Sequence, residues 1–310
     1  MKHLERSLDQ QNQWWKYVVI LITGFLAANF VGAIPLAILI VLRSMQGYTP
    51  NPENPMDLSA YDIDLNTGLI LLLIPFIISL LVIIPLIKNL HKRTWTEVIN
   101  GSQKIRWNRF FFSFGIWMLL SAGWLGIELA MHPQDFVLQF QPLRFVFLIF
   151  IALFMIPFQT FYEEFMFRGY LTQGIAGWTK NRWTAIIIPA LLFGLMHILN
   201  PEIKEYGFWL TMPQYVLFGL LFGLMVVVDD GIETAVGAHT ANNIFLCVFV
   251  TSKSSALQTY ALYKEINIIP SIMDTVELLI MGSILIIILA VKYKWKFSVL
   301  NKKIEIETFK

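Results

Sequence analysis

Two adjacent glutamates and an arginine lie at the end of a long apolar run of the sequence. Glu163, Glu164 and Arg168 follow the apolar stretch 145–159. Each charged side chain inside the bilayer costs a few kcal/mol of free energy. Such residues therefore persist only when they are paired, solvated or required for function. At helical spacing Glu164 and Arg168 are four residues apart with the acid first, which is the favourable order for an ion pair. Glu163 points about 100° away around the helix and keeps no local partner, so it is the candidate for a working carboxylate.

A simpler interpretation of these charges is that they mark the cytoplasmic end of a membrane helix, where charged groups cost little. Two later apolar stretches favour chemistry instead. His197 ends one of them, with Phe193 one turn before it on the same helical face. In the other, His239 and Asn243 are four residues apart and project together, with small residues beside them.

Each later pattern also has a structural interpretation. A single histidine such as His197 is more often a packing residue than a catalyst, and His239 with Asn243 can join helices by hydrogen bonds. The combination of the three stretches is more informative. Helix contacts do not require a carboxylate without a partner together with two histidines. Hydrolysis requires a base, a group that shares its proton, and donors for an oxyanion.

The composition predicts the elements that position these residues. The 310-residue chain is 56% hydrophobic and 14% charged, with a mean hydropathy of +0.63. These values predict an all-α, polytopic transmembrane helix bundle in the cell membrane, with the lipid bilayer as its surroundings. The net charge of +2 gives no indication of nucleic-acid binding. Because Cys247 is the single cysteine, an intramolecular disulfide and a zinc site built on thiolates are both excluded.

About eight runs are long enough to cross roughly 30 Å of hydrocarbon. Gly219 and Gly223, four residues apart in the sixth run, are expected to allow close packing against a neighbouring helix. The runs are approximately residues 17–42, 67–87, 110–131, 143–162, 183–199, 212–228, 232–250 and 276–291.

Loop charges predict how the bundle is oriented. Basic residues concentrate in 88–109, 180–182 and 292–303, while the first loop is acidic. Under the positive-inside rule this places both termini in the cytoplasm and requires an even number of spans. Asp229, Asp230 and Glu233 would form an acidic cytoplasmic turn, but acidic residues count for little in this rule.

Three motifs in this order resemble those of the CPBP family of intramembrane proteases. This family is related to the prenyl-protein (CAAX) endopeptidase and to bacterial bacteriocin self-immunity proteins. Each motif is weak alone, whereas three in order at these separations are specific. The resemblance covers about residues 143–250, the expected catalytic core of a single integral membrane domain 1–310. The motif residues are Glu163 and Glu164 followed by Arg168, Phe193 followed by His197, and His239 followed by Asn243.

The resemblance implies an endopeptidase that hydrolyses peptide bonds of membrane-associated peptides or proteins through a glutamate-activated water. Glu163 would be the general base that activates this water together with His197. His239 and Asn243 would donate hydrogen bonds to the tetrahedral oxyanion.

The resemblance also implies a supporting ion pair between Glu164 and Arg168, with no cofactor and no obligatory metal. A zinc-dependent membrane protease remains an alternative, because a glutamate, two histidines and an oxygen ligand can hold Zn²⁺ with an activated water. Against zinc, the chain lacks the His-Glu-x-x-His helix of zincins.

A non-catalytic membrane protein is the other class of function that the residues allow. A transporter usually shows paired halves or interrupted helices in corresponding positions, and the sequence shows neither. An immunity protein that acts by binding is compatible with proteolysis. Nothing in the sequence recognises a prenyl group, so for a bacterial host the expected substrates are peptide pheromones, bacteriocins or regulatory membrane proteins.

The catalytic hypothesis requires Glu163, Glu164, His197, His239 and Asn243 to converge on one polar cavity. Counted at about 1.5 Å per residue from the inner ends of the predicted spans, their depths disagree. Convergence therefore requires the fourth span to start later and continue past Arg168, or the fifth span to tilt or start late.

Overall fold

A computed structural model describes residues 3–8, 11–51, 57–102 and 104–305. This part of the chain is predominantly helical, as predicted, with only three short strands. The helices are α1 (Trp14–Leu26), α2 (Ile34–Met45), α3 (Leu65–His91), α4 (Trp95–Asn100), α5 (Trp107–Met131), α6 (Pro142–Glu164), α7 (Thr172–Thr179), α8 (Arg182–Met196), α9 (Pro201–Tyr206), α10 (Phe208–Asp229), α11 (Glu233–Phe249) and α12 (Ile272–Tyr293). Two π-helical turns, Ala27–Gly32 and Phe165–Leu171, join α1 to α2 and α6 to α7.

Six helical segments of the described chain are long and apolar enough to cross a membrane. Large apolar side chains on their outer surfaces are exposed, for example Leu119 and Phe154 at 70% and 69%, as expected of a surface that faces lipid. The six segments are Trp14–Met45, Leu65–His91, Trp107–Met131, Pro142–Thr179, Phe208–Asp229 and Ile272–Tyr293.

The other two predicted spans form the shorter helices α8 and α11, of 15 and 17 residues. Most of α11 is buried against α5 and α6. Backbone that is enclosed by neighbouring helices or lines a cavity does not need the full length of a lipid-facing span. The structure thus confirms a polytopic helix bundle, while the number of eight spans stays a prediction.

Both ends of the described chain lie at one end of the bundle, which we call the terminal end. Leu4 near the N-terminus and Ile304 near the C-terminus share an apolar cluster with Ile175 of α7. The loops rich in lysine and arginine also connect helices at this end. That the terminal end faces the cytoplasm remains a prediction.

The acidic turn between α10 and α11 lies at the terminal end with arginine partners. Arg106 Nη2 is 3.3 Å from Asp229 Oδ2 and 2.5 Å from Glu233 Oε2, and Arg109 contacts the other oxygen of Asp229. Asp230 Oδ1 accepts a hydrogen bond from the backbone N–H of His3. These partners explain why an acidic turn can lie among basic loops.

A small sheet lies at the opposite end of the bundle, which we call the sheet end. Its strands are β1 (Phe136–Leu138), β2 (Val250–Ser252) and β3 (Tyr263–Glu265), in the spatial order β1-β3-β2. β1 is antiparallel to β3, with Phe136 opposite Glu265, and β2 is parallel to β3, with Ser252 opposite Glu265. Three-residue strands give no usable alternation, so the helical sequence pattern did not predict this sheet.

Close packing of α10 against α8 depends on the predicted glycine pair. A Cβ atom at Gly219 would lie 2.7 Å from the Cα of Ala190, and one at Gly223 would lie 3.1 Å from a side-chain carbon of Ile186. Missing side chains allow the two backbones to approach this closely. The contact matters for function because α8 carries His197.

Candidate active site

A cavity of about 380 Å³ at the sheet end brings together four of the six predicted site residues. Glu163 of α6, His197 after α8, and both His239 and Asn243 of α11 line it. Its size is within the range of about 300–1,000 Å³ that is usual for small-ligand sites.

In the structure the depths of Glu163 and His197 agree, because the fourth span continues far beyond Arg168. The helical path that begins at Pro142 runs through Phe165–Leu171 and ends at Thr179. Glu163 is 16 residues before that end, and His197 follows the 15-residue α8 that starts just after it. At about 1.5 Å per residue both lie roughly 22–24 Å from the terminal end.

Glu164 and Arg168 form the predicted ion pair, and they lie behind the cavity wall. Arg168 Nη1 donates to Glu164 Oε1 at 3.0 Å, and both side chains are almost completely buried. Glu164 is not among the described residues that line the cavity, so the expectation that it faces this space is wrong. The arginine explains the difference, since the pairing turns the Glu164 carboxylate away from the Glu163 side of the helix.

His239 connects the two glutamates. Its Nδ1 is 2.7 Å from Glu164 Oε1, and its Nε2 is 3.6 Å from Glu163 Oε2. A carboxylate accepts only, so the Glu164 contact assigns the Nδ1–H tautomer. Neutral His239 then presents a lone pair on Nε2 toward Glu163, and this nitrogen can donate only when the ring is protonated. The two glutamates thus have different partners, although they are adjacent in sequence.

His197 is held in one orientation by two contacts. Its Nδ1 donates to the carbonyl oxygen of Phe193 at 2.8 Å, which leaves the lone pair of Nε2 as an acceptor. The Tyr215 ring stacks on the imidazole with 4.4 Å between centroids. Asn200 in turn donates to the hydroxyl of Tyr215 at 2.9 Å.

A chain of amide hydrogen bonds orients Asn243. Trp117 Nε1 donates to Asn242 Oδ1 at 3.2 Å, and Asn242 Nδ2 donates to Asn243 Oδ1 at 3.1 Å. Because the side-chain oxygen of Asn243 accepts this hydrogen bond, its Nδ2 group is left as a donor at the cavity wall. A polar donor on a cavity wall is the kind of group that binds a developing oxyanion.

Aromatic rings hold the buried charges and imidazoles in place. The Arg168 guanidinium lies 4.1 Å from the Phe193 ring centre, a distance at which cation–π attraction stabilises a desolvated cation. Phe222 packs against His239 with 5.5 Å between centroids. Tyr215 and Phe222 are seven residues apart on α10, so one helix face supports both histidines.

Sequence reasoning missed these supporting residues. Tyr215 and Phe222 carry a spacing that could have been noticed, but aromatic residues at that spacing in an apolar run are usually packing residues. Asn242 had a clearer signal, as a second amide beside Asn243 within an apolar span. Gln159, whose Nε2 donates to Glu163 Oε1 at 3.4 Å, is one helical turn before that glutamate.

In the residues that the structure describes, no three His, Cys, Asp or Glu side chains are grouped so that they could hold one metal ion. Glu163 and His239 approach each other, and His197 faces the same cavity.

Residues 143–245 match the family described as Rce1-like, type II CAAX prenyl endopeptidase. All six predicted site residues lie within this range. The chain is also 36% identical over 170 residues to the uncharacterized protein YyaK of Bacillus subtilis (strain 168). That alignment covers 54% of this chain and 56% of YyaK, so the chain spans about half the length of this relative. No solved structure matches the chain. Over residues 143–245, this chain is therefore similar to the Rce1-like family of type II CAAX prenyl endopeptidases.

Proposed function

We propose that this protein is an intramembrane endopeptidase that cleaves membrane-associated peptides or proteins with a water activated by Glu163. The observation that carries the proposal is the convergence of Glu163, His197, His239 and Asn243 on one cavity, with Glu164 and Arg168 behind them. In this proposal the catalytic core is 143–250, and the rest of the chain encloses it.

Glu163 takes the role of general base. A water in the cavity donates one proton to the Glu163 carboxylate and its other O–H to Nε2 of His197. The water oxygen attacks the carbonyl carbon of the scissile peptide bond. When the C–N bond breaks, protonated Glu163 returns the proton to the leaving amine, so the carboxylate is regenerated.

Asn243 supplies the donor for the oxyanion of the tetrahedral intermediate. One preorganised donor of this kind typically contributes about 2.7–4 kcal/mol to the stabilisation of the transition state.

His239 takes a second role that depends on its protonation. Its Nδ1–H belongs to Glu164, so Nε2 stabilises negative charge only as part of an imidazolium, which Glu164 is placed to stabilise.

The experiment that tests this proposal compares membrane proteomes from cells that carry wild type, Glu163→Gln or Glu305→Gln. Glu305 is an exposed glutamate near the C-terminus and is the matched control. We expect one or more membrane-associated polypeptides to accumulate uncut with Glu163→Gln only, at equal levels of inserted protein. Identical proteomes in all three strains would overturn the proposal.

A further inference from the structure

The cavity continues from Glu163 toward the sheet end, and its outer part carries additional carboxylates. Glu202 of α9, Glu265 of β3 and Asp274 of α12 line this part, together with Thr251 of β2. We call these four residues the vestibule. No lysine or arginine is among the described residues that line the cavity.

The negative charge of the vestibule is poorly compensated. Burial and the neighbouring carboxylates of Glu128, Asp274 and Asp135 raise the pKa of Glu265 to about 7. Lys264 precedes Glu265 in β3, so its side chain points to the other face of the sheet. Lys253 lies on the adjoining surface and pairs with Glu205 at 3.3 Å.

Polar atoms in the vestibule also lack partners in the described structure. Glu202 Oε1 accepts from the backbone N–H of Ala256 at 2.8 Å, while its buried Oε2 has no hydrogen-bond partner. Thr251 is 5% exposed, and its Oγ1 also has no hydrogen-bond partner in the described structure. Buried acceptors are costly when unsatisfied, so this pattern favours a ligand that brings donors.

We propose that the vestibule binds a positively charged side chain, lysine or arginine, of the peptide whose bond is cleaved at Glu163. An ammonium or guanidinium group has several donors and no acceptor, which suits carboxylates and a threonine hydroxyl that need donors. Charge-assisted hydrogen bonds to carboxylates are the stronger class, so they can select one peptide over another. This inference rests on the proposed function, because it assigns specificity to the same cavity.

The test measures binding by the purified full-length Glu163→Gln protein, so that cleavage is not needed. The probes are fluorescent, N-acetylated and C-amidated alanine–leucine peptides that differ only in one central lysine, glutamine or glutamate. We expect the lysine peptide to bind about tenfold more tightly than the glutamine peptide, and the glutamate peptide to bind most weakly. Added salt should reduce the lysine preference.

Variants locate the selectivity. Adding Glu265→Gln and Asp274→Asn removes two of the three vestibule carboxylates and should reduce the preference for the lysine peptide severalfold. Adding Asp62→Asn instead removes one exposed carboxylate at the same end of the bundle, outside the cavity, and should leave the preference unchanged. Should the double variant fail to fold, the lysine-to-glutamine ratio in the parent protein decides alone.

The two proposals fail in different ways. Equal binding of the three peptides to the parent protein, or a preference that is undiminished in the folded double variant, would overturn the vestibule proposal even if Glu163→Gln causes substrates to accumulate. A lysine preference that falls in the double variant and not in the Asp62→Asn control supports the vestibule, even if no cleavage depends on Glu163.

Discussion

Glu163 and Glu164 are the same residue type one position apart, yet their surroundings differ. Glu163 is 8% exposed and faces the cavity, with the Gln159 amide and the His239 ring as neighbours. Glu164 is completely buried between Arg168 and His239. The glutamine side chain has nearly the same shape as that of glutamate. Substitution by glutamine at each position therefore removes the negative charge and keeps the packing.

Glu164→Gln should lower stability much more than Glu163→Gln. Removing the carboxylate at 164 leaves the buried Arg168 cation without its partner, which typically costs about 3–5 kcal/mol. Glu163→Gln should instead abolish cleavage and keep the unfolding temperature close to that of wild type. Thermal unfolding in detergent measures both, and equal destabilisation by the two substitutions would show that the roles are assigned wrongly.

Asn243→Ala should slow cleavage about 10²–10³-fold with little effect on substrate binding, since an oxyanion donor acts mainly in the transition state. The measurement is kcat and KM on a substrate identified by the proteomic comparison. A loss that appears mainly in KM would contradict the oxyanion role of Asn243.

His239→Gln tests the zinc alternative, because glutamine retains a donor and is a poor metal ligand. We expect partial activity in this variant, no stoichiometric zinc in purified wild type, and wild-type activity that survives chelators. Stoichiometric zinc that is lost on substitution, together with cleavage that chelators abolish, would favour the metalloprotease instead.

Among the elements, the contact between α8 and α10 fixes where His197 lies relative to Tyr215. Gly219→Ala would place a methyl group 2.7–2.9 Å from backbone and Cβ atoms of Ala190, which cannot rotate away. We expect this substitution to destabilise the protein by about 1–3 kcal/mol and to lower kcat by displacing His197.

Gly126→Ala in α5 is the matched control. A Cβ atom there meets nothing within 4 Å, so the better helix propensity of alanine should make it neutral or stabilising. Thermal unfolding of both variants checks the expectation. Equal stability of Gly219→Ala and Gly126→Ala would mean that α8 can move away from α10 without cost.

Local spacing in the sequence was enough to predict the pairs that lie on one helix. Glu164 with Arg168, and His239 with Asn243, project as helical periodicity requires. The similarity to CAAX endopeptidases and the helical bundle were predicted as well. The depth of Glu163 in the bundle could not be predicted from spacing. The helix continues from Glu164 through Phe165–Leu171 into α7, and the sequence there has no pattern that distinguishes this continuation from a helix end. The partners of Glu164 and the contribution of α10 depend on contacts between helices, which periodicity within one helix does not contain.

For the whole molecule, the two ends of the bundle differ in charge. Lysine and arginine are concentrated near the terminal end, and the vestibule at the sheet end is acidic. The positive-inside rule predicts that the terminal end faces the cytoplasm and that the cavity opens on the other side of the membrane. Substrates would then approach from outside the cytoplasm.

Cysteine labelling on intact cells tests this orientation. Lys253→Cys at the sheet end should react with a membrane-impermeant maleimide, because this side chain is 73% exposed. Lys302→Cys at the terminal end should react only after the cells are opened. The native Cys247 is buried and should contribute little background. The reverse pattern would place the cavity mouth in the cytoplasm.

The π-helical turn Phe165–Leu171 contains one more residue between Glu163 and α7 than a continuous α-helix would need. In such a turn the backbone hydrogen bonds skip one more residue than in an α-helix. Removing one residue here, away from Arg168, would allow an ordinary α-helix and leave α7 near its present orientation on Glu5–Leu8, because the wider turn already absorbs that residue. Removing one residue within α7 instead would rotate all that follows by about 100°. Single-residue deletions are therefore expected to be tolerated in the π-helical turn and disruptive in α7.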